Sequence, residues 1–152
     1  DGCLQEGISS EASSLAGHLK LDNLVLIYDD NRISIDGDTH LAFTEDVSMR
    51  YRAYGWNVIG PVDGHDVDAV DGAIDKAKLS TNKPSLIICK TSIGKGSPNR
   101  ANTAKAHGEP LGAEEIKLTR AEIGWSRMTA AQQASADTQF RLQLCLKRAT
   151  VR

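Results

Sequence analysis

Three oxygen-bearing side chains, Asp29, Asp30 and Asn31, follow directly on the apolar run Leu24-Val25-Leu26-Ile27-Tyr28, and an acid–glycine pair, Asp1-Gly2, lies thirty residues upstream. A carboxylate and an amide carbonyl are hard oxygen donors, the pairing that suits Mg²⁺ or Ca²⁺. Mg²⁺ rarely draws all its oxygens from protein, so water, a main-chain carbonyl just past Asn31 and phosphate oxygens would complete its shell. Gly2 at the start of a helix would let backbone approach a phosphate closely, and a helix N-terminus favours negative charge. These residue types read as a site for a metal–diphosphate, provided the fold brings Asp1 and Asn31 together. Asp29 and Asp30 are not both expected as ligands, since three acids would overcharge a site already holding diphosphate.

The elements that must do the positioning alternate along the chain. Residues 5–19 place Ile8, Ala12, Leu15, Ala16 and Leu19 at helical spacing, with Ser9, Ser13 and His18 between them. The run 24–28 is continuous rather than alternating, as a strand covered on both faces would be. Thr44, with Glu45 and Asp46 in the next turn, predicts a helix start, and Gly55 predicts its end after Tyr54. Residues 56–59 read as a short strand, Val67 to Ala77 as an amphipathic helix, and residues 85–89 as a third, buried strand. From Thr91 to Gly112 there is no clear period, the signature of a functional loop, and a short helix follows at about 113–122. Helix–strand alternation of this kind predicts an α/β fold, a parallel sheet flanked by helices with right-handed crossovers. In such sheets ligands bind beyond the carboxyl ends of the strands. Asp1 sits where a preceding strand would enter the 5–19 helix, so Asp1 and Asn31 are expected on the same sheet edge.

Composition excludes several classes. The chain of 152 residues carries a formal charge of −2 with 25% charged residues, as one soluble domain does. It shows no basic block, so nucleic acid is not an expected partner. No apolar run approaches the roughly 20 residues of a membrane span. Three cysteines, Cys3, Cys89 and Cys145, are odd in number and lack metal-type spacing, which fits a reducing, cytoplasmic setting. Beginning at Asp1 with no methionine, the sequence reads as a piece of a longer protein.

Allowing for a glycine ahead of Asp1, the "DG…N" spacing resembles the thiamine-diphosphate signature. The words "DGCLQEGIS", "SLAGHLKL", "YDDNRISIDG", "AYGWNVI", "DGHD", "KPSLIICKTSIGKGSPN" and "AHGEPLG" resemble the transketolase family, over residues 1 to about 126. The resemblance implies a partial thiamine-diphosphate-binding fold at 1–126 and a divergent tail at 127–152. It implies Asp1 and Asn31 as side-chain ligands of Mg²⁺ (or Ca²⁺), with Ile33 lending a main-chain carbonyl. Gly2 and Asn31 would contact the diphosphate. His107 would reach cofactor phosphate and the reacting end of the substrate, and Glu6 would join a network between the two sites of a dimer. The implied reaction moves a two-carbon ketol unit from a ketose phosphate to an aldose phosphate. The acid that activates the cofactor would lie on a second domain, absent here, in a parent that is at least a homodimer.

Each assignment has a plainer competitor. An Asp-Gly pair is commonly a turn, and a strand-end Asn a local cap. His65 in "DGHD" reads as a turn and helix-start residue, His18 and His40 as surface residues, and Cys3 as packing. Lys95 reads equally as a phosphate-approaching or a solvated lysine. Another thiamine-diphosphate enzyme, such as a deoxyxylulose-phosphate synthase or a 2-oxoacid dehydrogenase component, is the nearest alternative, opposed by "SIGKGSPN" together with "AHGEPLG". A non-catalytic binding module that keeps the fold is the alternative of a different class.

Overall fold

Alternating sequence patterns become alternating elements in the computed structural model, which describes residues 1–125. A 3₁₀ turn at Gly2–Gln5 leads to α1 (Gly7–His18), β1 (Val25–Asp30), β2 (Ile33–Ser34) and β3 (Gly37–Asp38). A second 3₁₀ turn at Thr39–Leu41 leads to α2 (Val47–Ala53), β4 (Asn57–Asp63), α3 (Val67–Lys78), β5 (Ser85–Lys90), α4 (Ala104–Gly108) and α5 (Ala113–Glu122). The expected tail at 127–152, with Cys145, lies outside the described residues. Residues 1–95 and 100–111 form one compact unit; among the described residues, 96–99 and 112–125 belong to a second.

In the first unit the apolar run after Pro84 becomes the middle strand of a three-stranded sheet of order β1-β5-β4. Both pairings are parallel, with Val25 and Asn57 each opposite Ser85. The expected α/β architecture is the one observed. Leu86 and Ile87 are fully buried, each contributing about 1.5–3 kcal/mol of hydrophobic stabilisation. One face of the sheet packs Leu86 and Ile88 against Leu4, Ala16, Val47, Tyr51 and Trp56. The other packs Ile87 and Cys89 against Ala73 and Ala77 of α3. Helices therefore flank the sheet on both sides and leave the carboxyl ends of β1 and β5 for the site. Burial, followed by the Asp29 charge, raises the Cys89 thiol above its ordinary range.

Several local expectations are corrected. The α1 face that turns inward is Ser13 and Ala16, while Ile8, Leu15 and Leu19 are exposed. Small residues win because they allow close approach. A Cβ on Gly17 would stand 1.8 Å from the Tyr54 carbonyl oxygen. At this contact the Trp56 indole N–H donates to the Ser13 carbonyl (2.8 Å) and the Ser13 hydroxyl to the Tyr51 oxygen (3.0 Å). The cap of α2 is Asp46, accepting from the Met49 amide at 2.9 Å, not Thr44. β1 is not covered on both faces: Val25 and Ile27 are exposed, because β1 ends the strand order and α3 lies over β4 and β5. β4 runs past residue 59 to Asp63 through a register shift at Gly60-Pro61. The 91–112 stretch contains α4, a single turn of Ala-rich sequence too short to show a period.

The second unit is organised by the buried Glu115 of α5. Its carboxylate accepts from the Ser97 hydroxyl, from the Asn99 amide (2.9 Å) and from the Asn99 side chain (2.9 Å). Those bonds satisfy a charge that burial alone would make costly.

Candidate metal and diphosphate site

At the end of β1 the chain turns through Arg32, whose φ of 62° is unusual for a residue with a side chain. The turn aims two successive amides at one acid: the N–H groups of Asn31 and Arg32 donate to Asp1 Oδ2 at 3.1 and 2.7 Å. The Tyr28 hydroxyl donates to the other carboxylate oxygen, Oδ1. Asp1 and Asn31, thirty residues apart, thus meet at the carboxyl end of β1, as a crossover between neighbouring parallel strands would place them.

The side chain of Asn31 is oriented at both ends. Its Oδ1 accepts from the Ile33 amide at 2.9 Å, and its Nδ2 donates to Asp29 Oδ2 at 3.4 Å. Asp29 also accepts from the Thr91 hydroxyl, and Asp30 pairs with Lys90. Both acids of the Asp29-Asp30 pair are therefore engaged with protein groups, one bracing the Asn31 amide and the other neutralised across the sheet.

Gly2 does not begin the long helix. It heads the four-residue 3₁₀ turn, and α1 starts only at Gly7 because Glu6 is extended (φ −72°, ψ 133°). The macrodipole of α1 is thus set back from Gly2, and close backbone approach is what remains of the expected phosphate role. Space for it exists, since a Cβ on Gly2 would meet no atom within 4 Å. Arg50 of α2 holds the turn, donating to the Leu4 carbonyl from both terminal nitrogens (3.3 Å each), while its Nε lies 2.8 Å from Glu45 Oε1. Glu6 itself is exposed.

His107 is exposed on α4, and α4 packs against β2, the strand that begins at Ile33. The fold so carries the "AHGEPLG" histidine to the segment just beyond Asn31. His65 is more than a turn residue: its Nε2 accepts from the Ser92 amide at 2.8 Å, tying the β4–α3 turn to the chain leaving β5. His18, His40 and Lys95 are exposed, and His40 sits 2.9 Å from Asp38.

A cleft of about 620 Å³ adjoins Asp1, walled by Tyr28, Arg32, His40, Ile88 and Lys90 among others. Of the predicted site residues only Asp1 lines it; Gly2, Asn31, Ile33 and His107 stand outside. Burial, reinforced by the Asp30 charge, raises the Tyr28 phenol far above its ordinary range, so it is a neutral donor at physiological pH.

The donor chemistry fits a hard divalent ion. A carboxylate offers about four lone-pair positions, and three hydrogen bonds leave one on Asp1. One bond leaves Asn31 Oδ1 a second lone pair. Among the described residues no group of three or more His, Cys, Asp or Glu could hold a metal by itself. An ion here would need Asn31, main-chain and non-protein oxygens, the manner in which Mg²⁺ is bound beside phosphates.

Sequence reasoning missed Tyr28, Arg32, Arg50 and Thr91. Only Tyr28 carried a signal, an aromatic hydroxyl on a buried strand that must find a partner.

Among the described residues no helix is long and apolar enough to cross a membrane. Residues 1–143 match the family model described as transketolase, thiamine diphosphate binding domain. The chain is 56% identical over 125 residues to transketolase 1 of Escherichia coli, covering 82% of this chain and 19% of that protein. It is 56% identical over 127 residues to a Nostoc transketolase, covering 83% and 19%. Among solved structures, transketolase from Campylobacter jejuni superposes with a TM-score of 0.78 at 52% identity, over 82% of this chain and 19% of that one. A Pichia stipitis transketolase complexed with sedoheptulose-7-phosphate gives 0.78 at 54%, over 82% and 18%. The chain thus spans about a fifth of the length of the relatives it matches.

Proposed function

The chain belongs to the transketolase family, within its thiamine diphosphate-binding domain, and from that premise we propose that its parent protein transfers a two-carbon ketol unit from a ketose phosphate to an aldose phosphate. Residues 1–126 are read as part of the diphosphate-binding domain and 127–152 as a divergent tail, although the family match itself runs on to residue 143. When bound, thiamine diphosphate supplies the nucleophilic carbon that ketol transfer requires. The chain's own residues hold its diphosphate end. Asp1, Asn31 and the Ile33 carbonyl ligate Mg²⁺, and Gly2 lets the backbone reach phosphate. Asp29 keeps the Asn31 amide turned, and His107 stabilises charge or moves a proton at a substrate oxygen.

The observation that carries this reading is the clasp of Asp1 by the Asn31 and Arg32 amides. It joins the two halves of a "DG…N" signature at one strand end, where a parallel sheet binds its ligand. The parent is proposed to be a cytoplasmic homodimer of the pentose phosphate pathway, with Glu6 linking the two sites. The test is ketol transfer between sugar phosphates by purified full-length parent, before and after chelation of divalent cations. Activity lost on chelation and restored by Mg²⁺ supports the reading; activity indifferent to both Mg²⁺ and thiamine diphosphate refutes it.

A further inference from the structure

We infer that Tyr28 is a positioning residue for the metal, fixing the Asp1 carboxylate through its hydroxyl; this rests on the proposed role of Asp1. Three observations converge on it. The ring is 7% exposed and packed in the core with Ala16, Val47, Tyr51 and Ile88, so the hydroxyl has a fixed origin. That hydroxyl donates to Asp1 Oδ1. The other oxygen, Oδ2, is already held by two amides from the Asn31–Arg32 turn.

The division of labour follows from the geometry. Two amides of the Asn31–Arg32 turn hold Oδ2, but without a partner for Oδ1 they leave the carboxylate some rotation. A donor to Oδ1, anchored in the core, removes that rotation. The carboxylate then presents one remaining lone pair in one direction, and metal affinity depends on such outer partners by about 10–100-fold. Tyr28 and Asp1 both line the same cleft, so no other side chain need intervene.

The test replaces Tyr28 by Phe in the full-length parent, which deletes the oxygen and keeps the ring. The melting temperature of the apoenzyme verifies that the core survives. Mn²⁺ binding is followed by electron paramagnetic resonance in the presence of thiamine diphosphate, with Asp1→Asn and the double variant alongside. The expected result for Tyr28→Phe is Mn²⁺ affinity lowered by about 10–100-fold. In the Asp1→Asn background the same substitution should have a smaller effect, since the carboxylate that it fixes is gone. Wild-type Mn²⁺ affinity in Tyr28→Phe, or an equal loss in both backgrounds, overturns the inference while leaving Asp1 as a ligand. Unaltered affinity in Asp1→Asn overturns the ligand reading beneath it.

Discussion

Replacing Gly17 by Ala tests how α1 is seated, and the outcome is decided by opposing terms of different size. Helix propensity favours Ala over Gly by up to about 1 kcal/mol. Against this, the new Cβ would stand 1.8 Å from the Tyr54 carbonyl oxygen and 2.9 Å from its carbon, where ordinary contact begins at 3.4 Å. The obstructing atoms are backbone, so α1 must retreat by more than an ångström. That retreat stretches the Trp56–Ser13 and Ser13–Tyr51 bonds, now 2.8 and 3.0 Å, out of range. Overpacking costs about 1–3 kcal/mol, and two lost buried hydrogen bonds cost about 1 kcal/mol each. The net expectation is about 3 kcal/mol of destabilisation. The assay is urea unfolding of the full-length parent, comparing midpoints, since a multidomain protein need not unfold in two states. Because Asp1 enters α1 through the Gly2–Gln5 turn, Mg²⁺ affinity should fall as well. A Gly17→Ala protein with an unchanged or higher midpoint would refute the close packing of α1 on the Tyr54 carbonyl.

Replacing His107 by Ala in the parent should lower kcat by about 10²–10⁴-fold, more than it weakens cofactor affinity, because the metal anchor lies elsewhere; normal turnover with normal cofactor affinity would make His107 a solvated loop residue. Replacing Arg32 by Gly should raise stability by about 1 kcal/mol, relieving a side chain at φ 62°, with Mg²⁺ affinity retained; a lower melting temperature would contradict it. The isolated 152-residue chain should give no ketol transfer with Mg²⁺ and thiamine diphosphate, since positioning worth about 7–11 kcal/mol of catalysis depends on the rest of the parent. Turnover above a protein-free blank would show that the remaining four-fifths is dispensable.

β1, β5, the start of β4 and α3 were legible in the sequence, β5 because a buried parallel strand is a continuous apolar run and α3 because an amphipathic helix has a period, whereas β2, β3 and the end of β4 were not. The convergence of Asp1 with Asn31 was also legible, since helix–strand alternation brings the start of α1 and the end of β1 to one end of the sheet, and the hydrogen bonds at Asp1 bear it out. What escaped was packing chosen by size instead of polarity. Ser13 and Gly17 look like the outer face of α1, yet they allow the approach that buries Trp56 and Tyr51. The cap moved from Thr44 to Asp46 because both are competent and tertiary contacts choose between them. Charge balance argued against both Asp29 and Asp30 as ligands, but only the neighbouring segment, with Lys90 and Thr91, shows which partner each one has.

The clasp at Asp1 has a consequence for how the protein reports on itself. The Asn31 and Arg32 amides are secured by a single carboxylate from 30 and 31 residues away, not by the strand ladder that protects the amides of β5. Their hydrogen exchange is therefore governed by local opening of that one acid rather than by global unfolding. The ladder amides of β5 should exchange only with the sheet, whereas these two should exchange whenever Asp1 lets go. Anything that locks the carboxylate slows both sites together, and anything that withdraws it frees both together. A pair of adjacent backbone protons thus records the state of a side chain thirty residues distant, with no label added to the site.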